Sequence, residues 1–327
     1  MVGDRVGGWL AFALMTLRRV AGRFAAGVMV ATLACFVAST PAGAAASVSA
    51  TAGVTLGDPC ALPGVTPPLT YTHVIVIFEE NAAYGKVIGN KNAPLFNQLA
   101  QDCALATNYH DDATVSQPNY MAATGGFATG VGVHDSAPSI FSQVTSWNEL
   151  EESMGSNCGG AATFYKRGHD PAYWYTPLAT ACKLYDVSVA ANDNGQIPLP
   201  ATLPAYTFIT PNLCHDDHWM TGCSEADTAA AKLQAMDTWL GGVVSEITQT
   251  ADYQSGQTVI LVAFDESSSK KTTRVPAIAI AGGIQPVADH TYYDHYALLR
   301  ASEEAIGITT YLGNAATAND MRAGMHF

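Results

Sequence analysis

Two runs of the chain are apolar without alternation, and each ends abruptly in oxygen-bearing side chains. His73, Val74, Ile75, Val76, Ile77 and Phe78 lead into Glu79, Glu80 and Asn81; the run from Thr258 to Phe264 leads into Asp265 and Glu266. Such runs predict central strands of a parallel sheet covered on both faces. Further strands are expected over 205–210 and 275–281, and helices over 93–103, 146–154, 224–250 and 295–306. In the third helix Ser224 is the expected N-cap, and Leu233, Met236, Leu240, Val243, Val244 and Ile247 fall on one face. The interval 186–204, rich in Asn, Pro and Ala, reads as a surface loop. Strand-like and helix-like patterns alternate without an internal repeat, which predicts one sizeable α/β domain.

The first 46 residues read as an address. They carry Arg5, Arg18, Arg19 and Arg23, then an apolar run from Phe24 to Val37 that is short for a membrane span, then small residues from Pro41 to Ala46. This predicts a cleaved secretory signal over 1–46, with an uncleaved anchor as the alternative. The Arg18-Arg19 pair leaves the export route open. A proline-rich, loose leader is expected over 47–68, and the single folded domain over 69–327.

Without Cys35, six cysteines remain, an even set: Cys60, Cys103, Cys158, Cys182, Cys214 and Cys223. In an exported chain this favours disulfides over thiolate metal sites. Pairing of nearest neighbours is the working expectation, though spacing alone leaves other schemes open. Beyond residue 46 the chain has 11 Lys and Arg against 27 Asp and Glu, a net −16. That balance argues against nucleic acid or an anionic membrane surface as partner. It does not exclude a small phosphorylated substrate, because a local metal outweighs a remote surface charge.

In open α/β sheets ligands bind beyond the carboxyl ends of the strands. Glu80, Asn81, Asp265 and Glu266 are hard oxygen donors delivered to that edge, so they are candidate ligands of a divalent metal. Pro118 predicts a helix start near Ser116, where free N–H groups make a phosphate or oxyanion site. The competing reading is that Ser116 or Gln117 only caps the helix. A helix terminus stabilises an anion by about 1–2 kcal/mol. A metal that lowers the pKa of water from about 15.7 to about 7 supplies on the order of 12 kcal/mol. A serine nucleophile near neutral pH needs help of the second size. Past the 205–210 strand stand His215, Asp216, Asp217 and His218, suited to metal, acid–base or phosphate work, or to a polar loop tied by Cys214 and Cys223. His295 opens the last helix; His134 and His169 are weaker candidates.

The order of these motifs resembles the secreted phosphoesterase family that includes bacterial acid phosphatases and phospholipases C, a branch of the alkaline-phosphatase-like superfamily. The matching pieces are Phe78-Glu79-Glu80-Asn81 with Tyr84, Asn108-Tyr109, Ser116-Gln117-Pro118-Asn119, and Pro211-Asn212 with Asp216 and His218. Phe264-Asp265-Glu266 and His295 with Arg300 complete the order. The resemblance implies a three-layer α/β/α sandwich around a mainly parallel sheet. It implies Ser116 as a phosphorylated nucleophile and a metal on Glu80, Asn81, Asp265 and Glu266, with Asp216, His218 and His295 at further polar positions of the site. The implied substrate is a small phosphate ester or a phospholipid headgroup. Trp219 and the run Ser267-Ser268-Ser269-Lys270-Lys271 depart from the family pattern and bear on substrate preference. Two other readings are a secreted binding protein without turnover and a sulfatase-like hydrolase. The second is disfavoured because Ser116-Gln117-Pro118-Asn119-Tyr120 lacks the arginine of the sulfatase motif.

Overall fold

The computed structural model describes residues 56–190 and 192–327, so the expected signal over 1–46 lies outside the described residues. Eight strands form one sheet: β1 (His73–Glu79), β2 (Ala104–His110), β3 (Trp147–Glu152), β4 (Asp186–Val189), β5 (Tyr206–Thr210), β6 (Thr258–Phe264), β7 (Arg274–Ala281) and β8 (Val287–Asp289). Their order is β4-β3-β5-β1-β6-β7-β2-β8. Only β7 runs against the others. The two apolar runs are therefore neighbours, parallel and in register, with Glu79 opposite Phe264. Every residue of both strands is buried.

Registered residues on adjacent strands point to the same face, and successive residues alternate. Phe264 shares a face with Glu79, and Phe78 points to the other. Phe264 meets Phe96 of the helix Pro94–Asp102, which in turn packs on the helix Ala229–Thr248. Phe78 meets Tyr120 of the helix Ser116–Gly125 and His295 of the helix His295–Ile306. The sheet thus has a helical layer on each face, the expected sandwich. The long helix buries Leu233, Met236, Leu240, Val243, Val244 and Ile247, the face that its periodicity marked.

Three local readings need correction. The stretch 146–154 is not helical; it forms β3, paired on both sides, with β5 and β4. Its Glu and Leu residues favour helix in isolation, but ladder pairing on two edges outweighs that small preference. The long helix is capped by Thr228, whose hydroxyl accepts from the Ala231 N–H at 3.2 Å, so Ser224 lies outside it. The loop expected over 186–204 opens with the edge strand β4. Residues 56–68 form no helix or strand, yet they are anchored: Pro59 O accepts from the Tyr253 hydroxyl at 2.8 Å and Pro68 O from Arg322 at 2.7 Å.

The disulfides are Cys60–Cys103, Cys158–Cys182 and Cys214–Cys223, the nearest-neighbour pairing. Among the described residues no helix is long and apolar enough to cross a membrane. The first bridge spans 43 residues and the third spans 9. In the chain-entropy account they are worth about 4 and about 2–3 kcal/mol. Denaturant titration of the paired Cys→Ser variants should therefore show the larger loss for Cys60 with Cys103. The reverse order would show that local strain or residual structure, not chain entropy, sets their contribution.

Candidate active site

β1 ends where the backbone turns at Asn81, which has φ of 43°. Asn is one of the few side chains that tolerates this left-handed conformation. The turn aims the Asn81 N–H at Asp265 Oδ1, 3.0 Å away on the neighbouring strand end. Asp265 N–H donates back to Glu79 O at 2.9 Å, so the ladder of β1 and β6 continues one residue past the sheet. Glu80, next after Glu79, is fully buried on the face of Phe78. Its Oε2 accepts from Asn81 Nδ2 at 3.1 Å and from the Ser116 hydroxyl at 3.1 Å.

Ser116 is the first residue of its helix. Val115 holds the N-cap position and no side chain caps the first turn. The Ser116 hydroxyl is thus not used on its own helix, which sets aside the capping reading. Gln117 does not cap either; its side-chain amide bonds the 132–133 backbone. Asn119 braces the approach to the helix: its side chain accepts from the N–H groups of Asp112 and Ala113 and donates to Ala113 O and Val115 O.

A third wall follows β5. His218 Nδ1 lies 3.2 Å from Asp216 Oδ1, and its Nε2 lies 2.8 Å from Asn81 Nδ2. Burial opposes a charged His218 ring, but Asp216, then Asp265 and Asp217, outweigh it and raise its pKa. His169, the weaker candidate of the sequence, also belongs to this wall. Its Nε2 is 3.2 Å from Glu80 Oε1 and its Nδ1 3.6 Å from Asp216 Oδ2, and its ring is stacked on Tyr120. Burial lowers its pKa well below that of a free imidazole. The sequence marked His169 only by its acidic neighbour Asp170; its nearness to Glu80 depends on a chain turn that no local pattern announces.

His295 lies behind the site. Its Nε2 is 2.6 Å from Asp265 O and its Nδ1 is 2.8 Å from the Tyr109 hydroxyl. The carbonyl can only accept, so Nε2 carries the proton and Nδ1 accepts from Tyr109. Both ring nitrogens are engaged away from Ser116. Burial pushes the pKa of His295 down to about 4. Other neighbours of the motif lead elsewhere. His215 pairs with Glu152 at 2.9 Å, Asp217 pairs with Lys86, and His134 packs on Tyr173 and Trp174.

The carboxyls at the centre are crowded. Burial and then Asp265 and Asp216 raise Glu80 well above the carboxylate range. Burial lifts Asp265 to about 6 despite the N–H groups of Asn81 and Glu266. Burial, Asp265 and Asp111 lift Glu266 to about 7. Asp265 Oδ2 and Asp216 Oδ2 are buried with no hydrogen-bond partner. These oxygens, with the Asn81 amide and the Glu266 carboxyl nearby, are hard donors of the type that a divalent cation takes. Alongside opens a cavity of about 920 Å³, lined by Asn81, Asp111, Thr114, Glu266 and the 267–273 segment, which includes Lys270 and Lys271.

The sheet order and the site at its carboxyl edge define an alkaline-phosphatase-like α/β fold. A crystal structure of an alkaline phosphatase superfamily protein from Vibrio parahaemolyticus superposes with a TM-score of 0.54 at 14% identity, covering 78% of this chain and 72% of that one. The lipoteichoic acid synthase of Listeria monocytogenes gives 0.53 at 11% identity, over 77% and 76%. The chain belongs to the phosphoesterase family, whose sequence model matches residues 90–309. That span holds Ser116, His169, Asp216, His218, Asp265, Glu266 and His295, while Glu80 and Asn81 precede it. A probable acid phosphatase of Kluyveromyces lactis is 28% identical over 74% of this chain, which spans only 60% of the yeast protein. A phosphatidylinositol-3-phosphatase of Mycobacterium tuberculosis is 25% identical over 77% of this chain and 83% of its own length.

The placement of His295 gives a stability prediction. Tyr109→Phe deletes the donor to buried Nδ1 and should cost about 1–3 kcal/mol in denaturant unfolding. Unchanged stability would mean that the Tyr109–His295 bond does not hold this part of the site.

Proposed function

We propose that the chain is an exported phosphoesterase whose nucleophile is the Ser116 hydroxyl. The observation that carries this reading is the bond from an uncapping Ser116, at a helix start, to buried Glu80 at 3.1 Å. The acid phosphatase and phosphatidylinositol-3-phosphatase names of the relatives support a phosphate monoester as substrate. Three disulfides support an oxidising compartment. The Lys270 and Lys271 side of the cavity offers local positive charge for such an anion.

Glu80, Asn81, Asp265 and Glu266 would hold a divalent cation, which when bound would polarise the phosphoryl oxygens and acidify the serine hydroxyl. Ser116 Oγ attacks phosphorus, and its proton leaves along the bond to Glu80. The N–H groups at the helix start face the oxygens on which charge grows. As the ester P–O bond breaks, the leaving oxygen takes a proton from His218, kept basic by Asp216. Water then attacks the phosphoserine, gives its proton to His218 and releases phosphate as Oγ recovers its own from Glu80. Atoms and charges return to the starting state. His295 takes no part in proton transfer and acts by fixing the Asp265 backbone.

Ser116→Ala separates this account from a structural role. The variant should fold normally, with turnover of a chromogenic phosphomonoester down by several orders of magnitude, by analogy with the roughly 10⁶ lost when a triad nucleophile is removed. Acid quench of the native protein with labelled substrate should leave phosphate on the peptide containing Ser116. A folded alanine variant turning over at the native rate would exclude Ser116 as nucleophile.

A further inference from the structure

A second group of carboxylates lies on the same face of the sheet, outside the catalytic set. Glu149 and Glu151 are two residues apart on β3 and project to one side, the side of Phe208, which is registered with Glu149. Asp186 stands opposite Glu149 in β4. Asp170 follows the turn Arg167–His169. All four are at most 1% exposed. One oxygen from each of Glu149, Asp170 and Asp186 lies within 4.8 Å of the others.

Some of their hydrogen-bonding capacity is used. Glu149 Oε2 accepts from Ala172 N–H at 2.8 Å, and Asp170 accepts from the Tyr165 hydroxyl at 2.6 Å and from Tyr173 N–H at 3.0 Å. Three oxygens, Glu149 Oε1, Glu151 Oε1 and Asp186 Oδ1, accept from no donor; the carboxyls instead lie against one another, Asp170 by Asp186 and Glu149 by Glu151. Asp186 Oδ2 faces Cys182 Sγ at 3.4 Å, but that sulfur is in the disulfide with Cys158 and has no proton to give. Among the described residues no Lys, Arg or His forms a salt bridge with any of the four. Arg167, three residues before Asp170, directs its N–H groups to Gly159 O and lies over the Tyr173 ring.

Buried carboxylates without a counter-charge or donors are strongly disfavoured. Carboxyl oxygens from Glu149, Asp170 and Asp186 that converge in a buried space are what a hard cation requires, and a dry site made only of protein carboxylates suits calcium better than magnesium, which sheds its water reluctantly. We propose that Glu149, Asp170 and Asp186, with Glu151 adjacent, bind a divalent cation, calcium on this ligand chemistry, separate from the ion proposed for the candidate active site. It would tie the β3–β4 side of the sheet to the Arg167–His169 turn. Through Asp170 it would hold His169 against Glu80, as a positioning element and not as part of the chemistry.

The test uses the full chain with the catalytic set disabled by Glu80→Gln and Asp265→Asn. After dialysis against Ca²⁺ and then buffer, elemental analysis should find one calcium per chain, and Ca²⁺ should raise Tm in a saturable way. Adding Glu149→Gln and Asp186→Asn should remove both that ion and the Tm response. Absence of calcium in the first protein, or its retention in the second, overturns the proposal. If the second protein does not fold, Tb³⁺ luminescence on the first decides. Emission sensitised by nearby tyrosine, with Tyr165 hydrogen-bonded to Asp170, and displaced by Ca²⁺ supports the site; no emission overturns it.

Discussion

Everything at the catalytic edge depends on two buried carboxylates, Glu80 and Asp265, held face to face by adjacent parallel strands in fixed register. Because Glu79 stands opposite Phe264, the next residue of each strand leaves the sheet at the same height. A one-residue slip would send Glu80 to the other face, under the helix Ala229–Thr248. The surrounding groups follow from that placement. Asn81 adopts a left-handed turn to bond both acids, His169 and Ser116 approach Glu80 from two sides, and His295 grips the Asp265 carbonyl from behind. Together they fix the position of both carboxyl groups.

The sequence made this centre legible because its signals were local. Unbroken apolar runs showed β1 and β6, their abrupt polar ends showed the acids, and Pro118 placed Ser116 at a helix start. Sidedness of the long helix was equally readable, since Leu233 to Ile247 recur at helical spacing. What escaped was whatever the ladder decides. β3 carries Glu149, Glu151 and Glu152, all buried, and buried acids on a strand look like the exposed face of a helix. The placement of His169 and His295 escaped for a related reason. Their surroundings depend on what lies opposite, the Glu80 carboxyl for one and the Asp265 backbone carbonyl for the other, and no spacing in the chain encodes that.

The sheet also sorts its acids by face. Glu149 and Glu151 look toward the serine helix, while Glu79 and Glu152 look toward the helix Ala229–Thr248. There Glu152 is satisfied by His215 and by the N–H groups of Asn192 and Asn212. Glu79 has no partner for either oxygen, and burial, with Asp216 next, raises its pKa well above the normal range. The strongly negative chain thus carries many of its carboxyl groups inside. The surface charge says little about the substrate, and the Lys270 and Lys271 wall says more.

The central claim of the proposed function is that turnover would need a divalent cation held by Glu80, Asn81, Asp265 and Glu266. The direct measurement is phosphomonoester turnover by protein stripped of metal, with elemental analysis of the same sample, followed by re-addition of single divalent ions. The account predicts that turnover is lost with the metal and restored by an ion that does not restore the Asp265→Asn variant. Full turnover in protein shown to be metal-free would contradict it.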